Sequence, residues 1–233
     1  MVEAPVAQRH DGAFERHSVP SDDHRAALLT LLGFHALPVW GWGQRVAYER
    51  FAMGGPTLDH WVRTTGLWAE QERHLWEWEQ MVAAITDRSF DDVVRDAVGD
   101  LASEAIAALG QWVDLVFLSI CVDGLGEELA RTLSASTYGP LQRQARRMVM
   151  YKRGQCADGC DSLAEIMRNA QLDGALVRER AGRWLDTAGD YAGRATGLEA
   201  ESGWVALGLA GALDVEAALD RVGSRLRIHL EAT

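Results

Sequence analysis

The sequence predicts an all-α protein, a bundle of long helices, on three observations. Apolar residues recur at three- and four-residue spacing over stretches approaching thirty residues. No stretch of any length alternates apolar and polar residues, and Gly and Pro punctuate the chain between the periodic stretches. With 233 residues, 48% of them hydrophobic and 24% charged, the chain can bury a sizeable core. Residues 1–20 are polar and irregular and read as a loose N-terminal arm, and 21–233 read as a single helical domain.

Taken in order, a helical pattern runs from Asp22 to Met53, with Pro38 marking a kink or break in its middle. Gly54-Gly55-Pro56-Thr57 is a boundary, with Thr57 as N-cap of the second helix. That helix reaches Ile85 and carries Trp61, Trp68, Leu75, Trp78, Val82 and Ile85, spaced as one buried stripe. Ser89 opens a short acidic helix with an acid at its third position, in the manner of a capping box. A third long helix is expected over Ser103–Ser134 and a fourth over Leu141–Asn169, after the Tyr138-Gly139-Pro140 break. A fifth spans Gly174–Thr196. A Gly-rich apolar loop over 202–213 then leads to a last helix capped by Asp214.

The net charge of −11 argues against a nucleic-acid surface, because phosphate binding needs massed Lys and Arg, and here the arginines are dispersed among acids. Three cysteines are too few for a disulfide framework and fit a reducing cytoplasm. Cys156 and Cys160 read as small buried helix residues. The N-terminus lacks a basic-then-apolar signal pattern, and the uncharged run Ser202–Leu213 is too short to span a membrane. A soluble cytoplasmic protein is expected, with neither nucleic acid nor membrane as partner.

One stretch stands apart. Lys152 is the only lysine in the chain. It lies in the fourth helical segment on one face with Met148, Gln155 and Gly159, at 4-3-4 spacing. Core-facing positions of a long helix are ordinarily Leu or Ala, so Lys and Gln there call for a reason. Long bundles often hold metals between facing helices. The di-iron layout uses one Glu from each of two helices and Glu-x-x-His from each of the other two. Here the second helix offers His74, but Gln71 stands three residues before it. The fourth offers Lys152 and Gln155, the first has no carboxylate from His24 to Tyr48, and only Asp123 on the third supplies an inward acid.

Several short motifs share an order and spacing: G-x-H-A at Gly33–Ala36, G-P-T-L at Gly55–Leu58 and a histidine sixteen residues after that leucine. W-x-D at Trp112–Asp114, V-D-G at Val122–Gly124 and T-Y-G-P at Thr137–Pro140 follow. Over about residues 22–230 the chain resembles the catalytic subunit of phenylacetyl-CoA ring 1,2-epoxidase (PaaA type), a ferritin-like multicomponent di-iron oxygenase. The resemblance implies a ferritin-like four-helix bundle with additional C-terminal helices. In that family the second-helix motif is D-E-x-x-H, where this chain has Glu70-Gln71-Glu72-Arg73-His74. The fourth-helix motif is E-E-x-x-H, where it has Tyr151-Lys152-Arg153-Gly154-Gln155, and the first-helix glutamate falls near Val39. Only His74 and Asp123 keep ligand types.

Removing three carboxylates without adding thiolates or histidines leaves nothing to balance two dications, so no iron and no other cofactor is expected. Asp123 would then be a bare buried acid, and Lys152 on the facing helix cancels it one for one. His74, Gln71 and Gln155 are the hydrogen-bonding neighbours, with Trp78, Tyr151 and Glu127 lining the same region. Trp40, Trp42, Trp68 and Trp76 read first as packing between long helices and otherwise as lining of an aromatic substrate cavity. Asp114 reads as a structural acid or one that supports a ligand without being one, and Glu127-Glu128 as a solvated helix end. Three functions compete. One is a non-catalytic ferritin-like subunit that assembles with its own or related ferritin-like chains. Another is a metal-independent enzyme using Lys152, Asp123 and His74 for acid–base chemistry on a hydrophobic or CoA-linked molecule. The third is an iron monooxygenase with displaced ligands, for instance His74, Asp123 and Glu127 about one metal.

Overall fold

The computed structural model describes residues 19, 21–43, 58–99, 109–110, 112–169 and 172–231, with the backbone alone described at 37–43, 58–61, 63–65, 67–68 and 71–72. The described residues form seven helices and no strand, in line with the all-α expectation. They are α1 (Asp22–Gly43), α2 (Leu58–Ile85), α3 (Phe90–Val98), α4 (Trp112–Leu133), α5 (Gly139–Arg168), α6 (Gly174–Ser202) and α7 (Val215–Glu231). None of them is long and apolar enough to cross a membrane. The arm over 1–18, the end of the first helical pattern over 44–53 and the Thr57 cap lie outside the described residues.

The sequence of α4, with its run LVFLSICV, is apolar nearly all round, and such a helix must be central. Nearly all of its residues are buried. It packs most extensively on α5 and also touches α6, α7 and α1, while α1 lies on α2 and α3. Two glycines set the closest approaches. A Cβ at Gly33 would stand 2.4 Å from the Val93 carbonyl oxygen, so only glycine lets α3 cross α1 there. A Cβ at Gly159 would stand 3.0 Å from Ile120 and 3.2 Å from the Val116 carbonyl oxygen, which fixes the α4–α5 spacing.

The caps explain where the helices start and stop. Ser89 accepts a hydrogen bond from the Asp92 N–H and donates its hydroxyl to the Asp92 carboxylate. Asp173 accepts from the Ala175 and Leu176 N–H groups, and Asp214 from that of Ala217. Three sequence expectations change. α1 continues unbroken through Pro38. α4 begins at Trp112, after Leu109 and Gly110, which are irregular, and the Gly110 N–H donates to the Asp114 carboxylate; the expected start at Ser103 lies outside the described residues. α6 runs six residues past Thr196, keeps Leu198 buried, and stops only at Gly203, whose φ of 65° closes it in the left-handed region. Among the described side chains of α2 the buried ones are His74, Trp78, Met81, Val82 and Ile85, Leu75 is only partly buried, and the Trp61 and Trp68 side chains lie outside the described residues.

Candidate functional site

Helical phase places Gln144, Met148, Lys152, Gln155 and Gly159 on one face of α5, and all five are buried. That face meets α4 where Asp123 is fully buried. The Lys152 ammonium, itself 1% exposed, donates to Asp123 Oδ1 across 2.5 Å. The Lys152 stem runs past Gly126, where a Cβ would lie 3.6 Å from it, an ordinary van der Waals contact. Burial pushes the Asp123 carboxyl above its ordinary range, and the Lys152 charge and hydrogen bond pull it back. Asp123 Oδ2 has no hydrogen-bond partner among the described residues.

His74 projects into the same region from α2. The Gln144 amide donates to His74 Nδ1 at 2.9 Å, and Arg147 donates to the Gln144 carbonyl oxygen and to Glu77, which fixes the amide orientation. The proton of the neutral ring therefore sits on Nε2, which is buried with no hydrogen-bond partner among the described residues, the Glu70 carboxylate standing 3.8 Å away. Burial, with the Lys152 charge in second place, lowers the His74 pKa to about 4, so the ring is neutral near pH 7. The Tyr151 ring lies 4.8 Å from His74, with Lys152 Nζ 5.9 Å from its centroid. Gln155 Nε2 donates to the Tyr151 hydroxyl, which leaves Gln155 Oε1 buried and unpartnered. The Trp78 indole N–H, one turn along α2 from His74, is also unpartnered. Lys152 and Asp123 thus meet, with the Tyr151 ring beside them, whereas His74 and Gln155, expected from the sequence to bond to the pair, bond to Gln144 and Tyr151 instead. The Gln71 side chain lies outside the described residues.

Glu127 departs from expectation. It is fully buried, not a solvated helix end, and three guanidinium groups hold its carboxylate. Arg131 donates from the next turn of α4 at 2.5 Å, Arg153 from α5 at 2.9 Å and Arg225 from α7 at 3.1 Å. Burial alone would raise its pKa, but these hydrogen bonds from Arg153, Arg131 and Arg225 hold it below the ordinary value. Glu128 is likewise not free, since Arg221 grips it with two bonds of 2.9 Å. Asp114 accepts from Arg180 at 2.6 Å and from the Trp184 indole at 3.2 Å, which ties α4 to α6 in the structural role expected of it. Trp76 is 58% exposed, so it is no part of an interior wall. Among the described side chains no group of three or more His, Cys, Asp or Glu residues has the disposition of a metal site.

No family profile and no curated protein sequence matches the chain. The site therefore has to be read from its own chemistry. An ammonium already occupies the Asp123 carboxylate, and three arginines saturate Glu127, the next acid on α4. The ring nitrogen of His74 that is not tied to Gln144 carries a proton. A dication would have to displace each of these, so the donors among the described residues do not fit two iron ions.

Sequence reasoning left out Gln144, the arginine clamp and His35. Gln144 was accessible by extending the 148–152–155 face backwards by four residues. The arginines carry no spacing signal, because Arg225 lies on another helix 98 residues from Glu127.

Proposed function

We propose that this chain is a ferritin-like subunit whose di-iron centre has been replaced by an ion-paired polar core, and that it serves as a non-catalytic partner of related ferritin-like chains. The observation that carries this reading is the buried Lys152–Asp123 pair at 2.5 Å, at the position where the resemblance to the phenylacetyl-CoA epoxidase catalytic subunit would put metal ligands. The pair neutralises the residual acid, and the clamp on Glu127 keeps the neighbouring carboxylate from serving as a ligand. Such a core holds the bundle together without a metal.

Metal analysis tests this directly. Protein produced in iron-rich medium and then exposed to ferrous iron without oxygen is expected to retain well under one iron per chain. Stoichiometric iron overturns the reading. Sedimentation with a metal-bearing catalytic subunit of the oxygenase class is expected to show a stoichiometric complex.

A second reading has its own support in the unpartnered atoms His74 Nε2, Asp123 Oδ2 and Gln155 Oε1. Buried polar groups without partners often mark the place of a ligand or water. In that reading the emptied centre is a metal-independent acid–base site, with Lys152 and Asp123 sharing a proton beside a neutral His74, acting on a hydrophobic or CoA-linked substrate. Turnover of such a substrate that is lost in Lys152→Met would favour it over the partner role.

A further inference from the structure

A part-open cavity lies away from the Lys152 centre. A cavity of about 210 Å³ opens between the C-terminal ends of α4 and α6 and the segment joining α6 to α7. His35 of α1 and Trp204, each 5% exposed, form its deep walls. Leu129, Val205 and Leu213 supply apolar surface, and Thr196 and Glu199 stand towards solvent. The walls are fixed in advance. The Gly211 N–H donates to the Thr132 carbonyl at 2.8 Å, and Thr137 donates both its N–H and its hydroxyl to the Gly208 carbonyl at 2.8 and 2.9 Å. Gly208 has a φ of 71°, which glycine adopts without strain.

His35 is the anomaly in this wall. Burial lowers its pKa to about 3, so the imidazole is neutral, and no described residue offers its ring nitrogens a hydrogen bond. One face of the ring stacks towards Trp78 at 6.4 Å, with Phe34 edge-on at 5.4 Å, so the apolar contacts of the ring are made and its nitrogens are the polar atoms it can offer to the cavity. Buried polar groups normally have partners. No Lys or Arg lines the cavity, and Glu199 is acidic, so carboxylates and phosphates are disfavoured. An apolar cavity of about 150 Å³ accepts benzene. The larger volume here has room for one ring and a substituent, and none for a CoA-sized molecule.

We propose that this cavity binds a small uncharged aromatic compound bearing one hydroxyl, with the ring against Trp204 and Leu213 and the hydroxyl donating to a His35 nitrogen. This site does not depend on the partner role proposed above. Phenol, toluene and benzoate are the probes, titrated into histidine-labelled full-length protein and followed by nuclear magnetic resonance and calorimetry. Phenol is expected to saturate one site per chain and to shift the His35 ring signals. Toluene should bind at least tenfold more weakly, and benzoate should not bind. His35→Phe is expected to weaken phenol at least tenfold and toluene less than twofold. Ala212→Trp, a change at an exposed lining position that leaves the core intact, should abolish binding of both. Phenol binding no tighter than toluene, benzoate binding equal to phenol, or a phenol affinity unmoved by Ala212→Trp overturns the proposal.

Discussion

Replacing Lys152 by Met isolates the buried pair, because Met keeps the length and apolar stem of lysine while removing the charge. The partner left behind, Asp123, is fully buried, and its second oxygen already has no partner. An uncompensated carboxylate there escapes by taking up a proton. For a carboxyl with an ordinary value of 3.8 that uptake costs about 4 kcal/mol at pH 7 and under about 2 kcal/mol at pH 5, at roughly 1.4 kcal/mol per pH unit. The destabilisation of Lys152→Met should therefore be about 3–4 kcal/mol at pH 7, within the range for breaking a buried pair, and should shrink by about half at pH 5. Asp123→Leu strands a buried ammonium and should cost a similar amount at pH 7. The double variant should recover to within about 1–2 kcal/mol of the parent, since two apolar groups of similar volume carry no desolvation cost. Urea titrations followed by circular dichroism at both pH values measure all four corners of the cycle. Additive single costs, or a Lys152→Met penalty that does not fall at pH 5, would refute the reasoning.

Three further outcomes follow from the structure. Glu127→Gln keeps the shape but leaves Arg131, Arg153 and Arg225 without their shared anion, so urea denaturation should show a loss of about 1–3 kcal/mol, as for charge-assisted hydrogen bonds. The His74 pKa is depressed from 6.5 to about 4, so the unfolded chain binds the extra proton between those values. The stability that His74 contributes is thus complete above pH 6.5 and declines by up to about 3 kcal/mol as pH falls towards 4, and His74→Gln should flatten that part of the stability–pH curve. Gly33→Ala sets a methyl group 2.4 Å from the Val93 carbonyl oxygen. Calorimetry should show a lower Tm, with a cost of about 1–3 kcal/mol outweighing the better helix propensity of alanine.

Periodicity made some parts of this molecule legible and left others hidden. The 148–152–155–159 face is a local property of one helix, and a period of 3.6 places all of it inside. The pairing of Lys152 with Asp123 is a longer inference, but it rests on charge balance: one inward acid and one inward base on facing helices leave few alternatives. Grouping tryptophans by type puts Trp76 in the interior beside Trp78, whereas two steps along a helix turn it by about 200° to the outside. The Glu127-Glu128 doublet looks like a solvated end because two adjacent acids commonly are. What buries the first of them is a set of arginines from three helices, and dispersed arginines carry no register. The start of α4 and the end of α6 depended on an Asp114 side chain reaching back to Gly110 and on a left-handed Gly203. Neither has a periodic signature.

The grip on Glu127 also orders events in time. Arg131 is one turn away and Arg153 only 26 residues downstream, whereas Arg225 is 98 residues further along the chain. On a ribosome adding residues from the N-terminus, the hairpin of α4 and α5 can form with its acid already matched to two cations. The third cation arrives only when α7 has been made. Arg225 also reaches Cys156 Sγ at 3.2 Å, so its arrival changes the surroundings of that thiol in the same step. The thiol is therefore a natural position for a chemical label that reports when the last helix has docked.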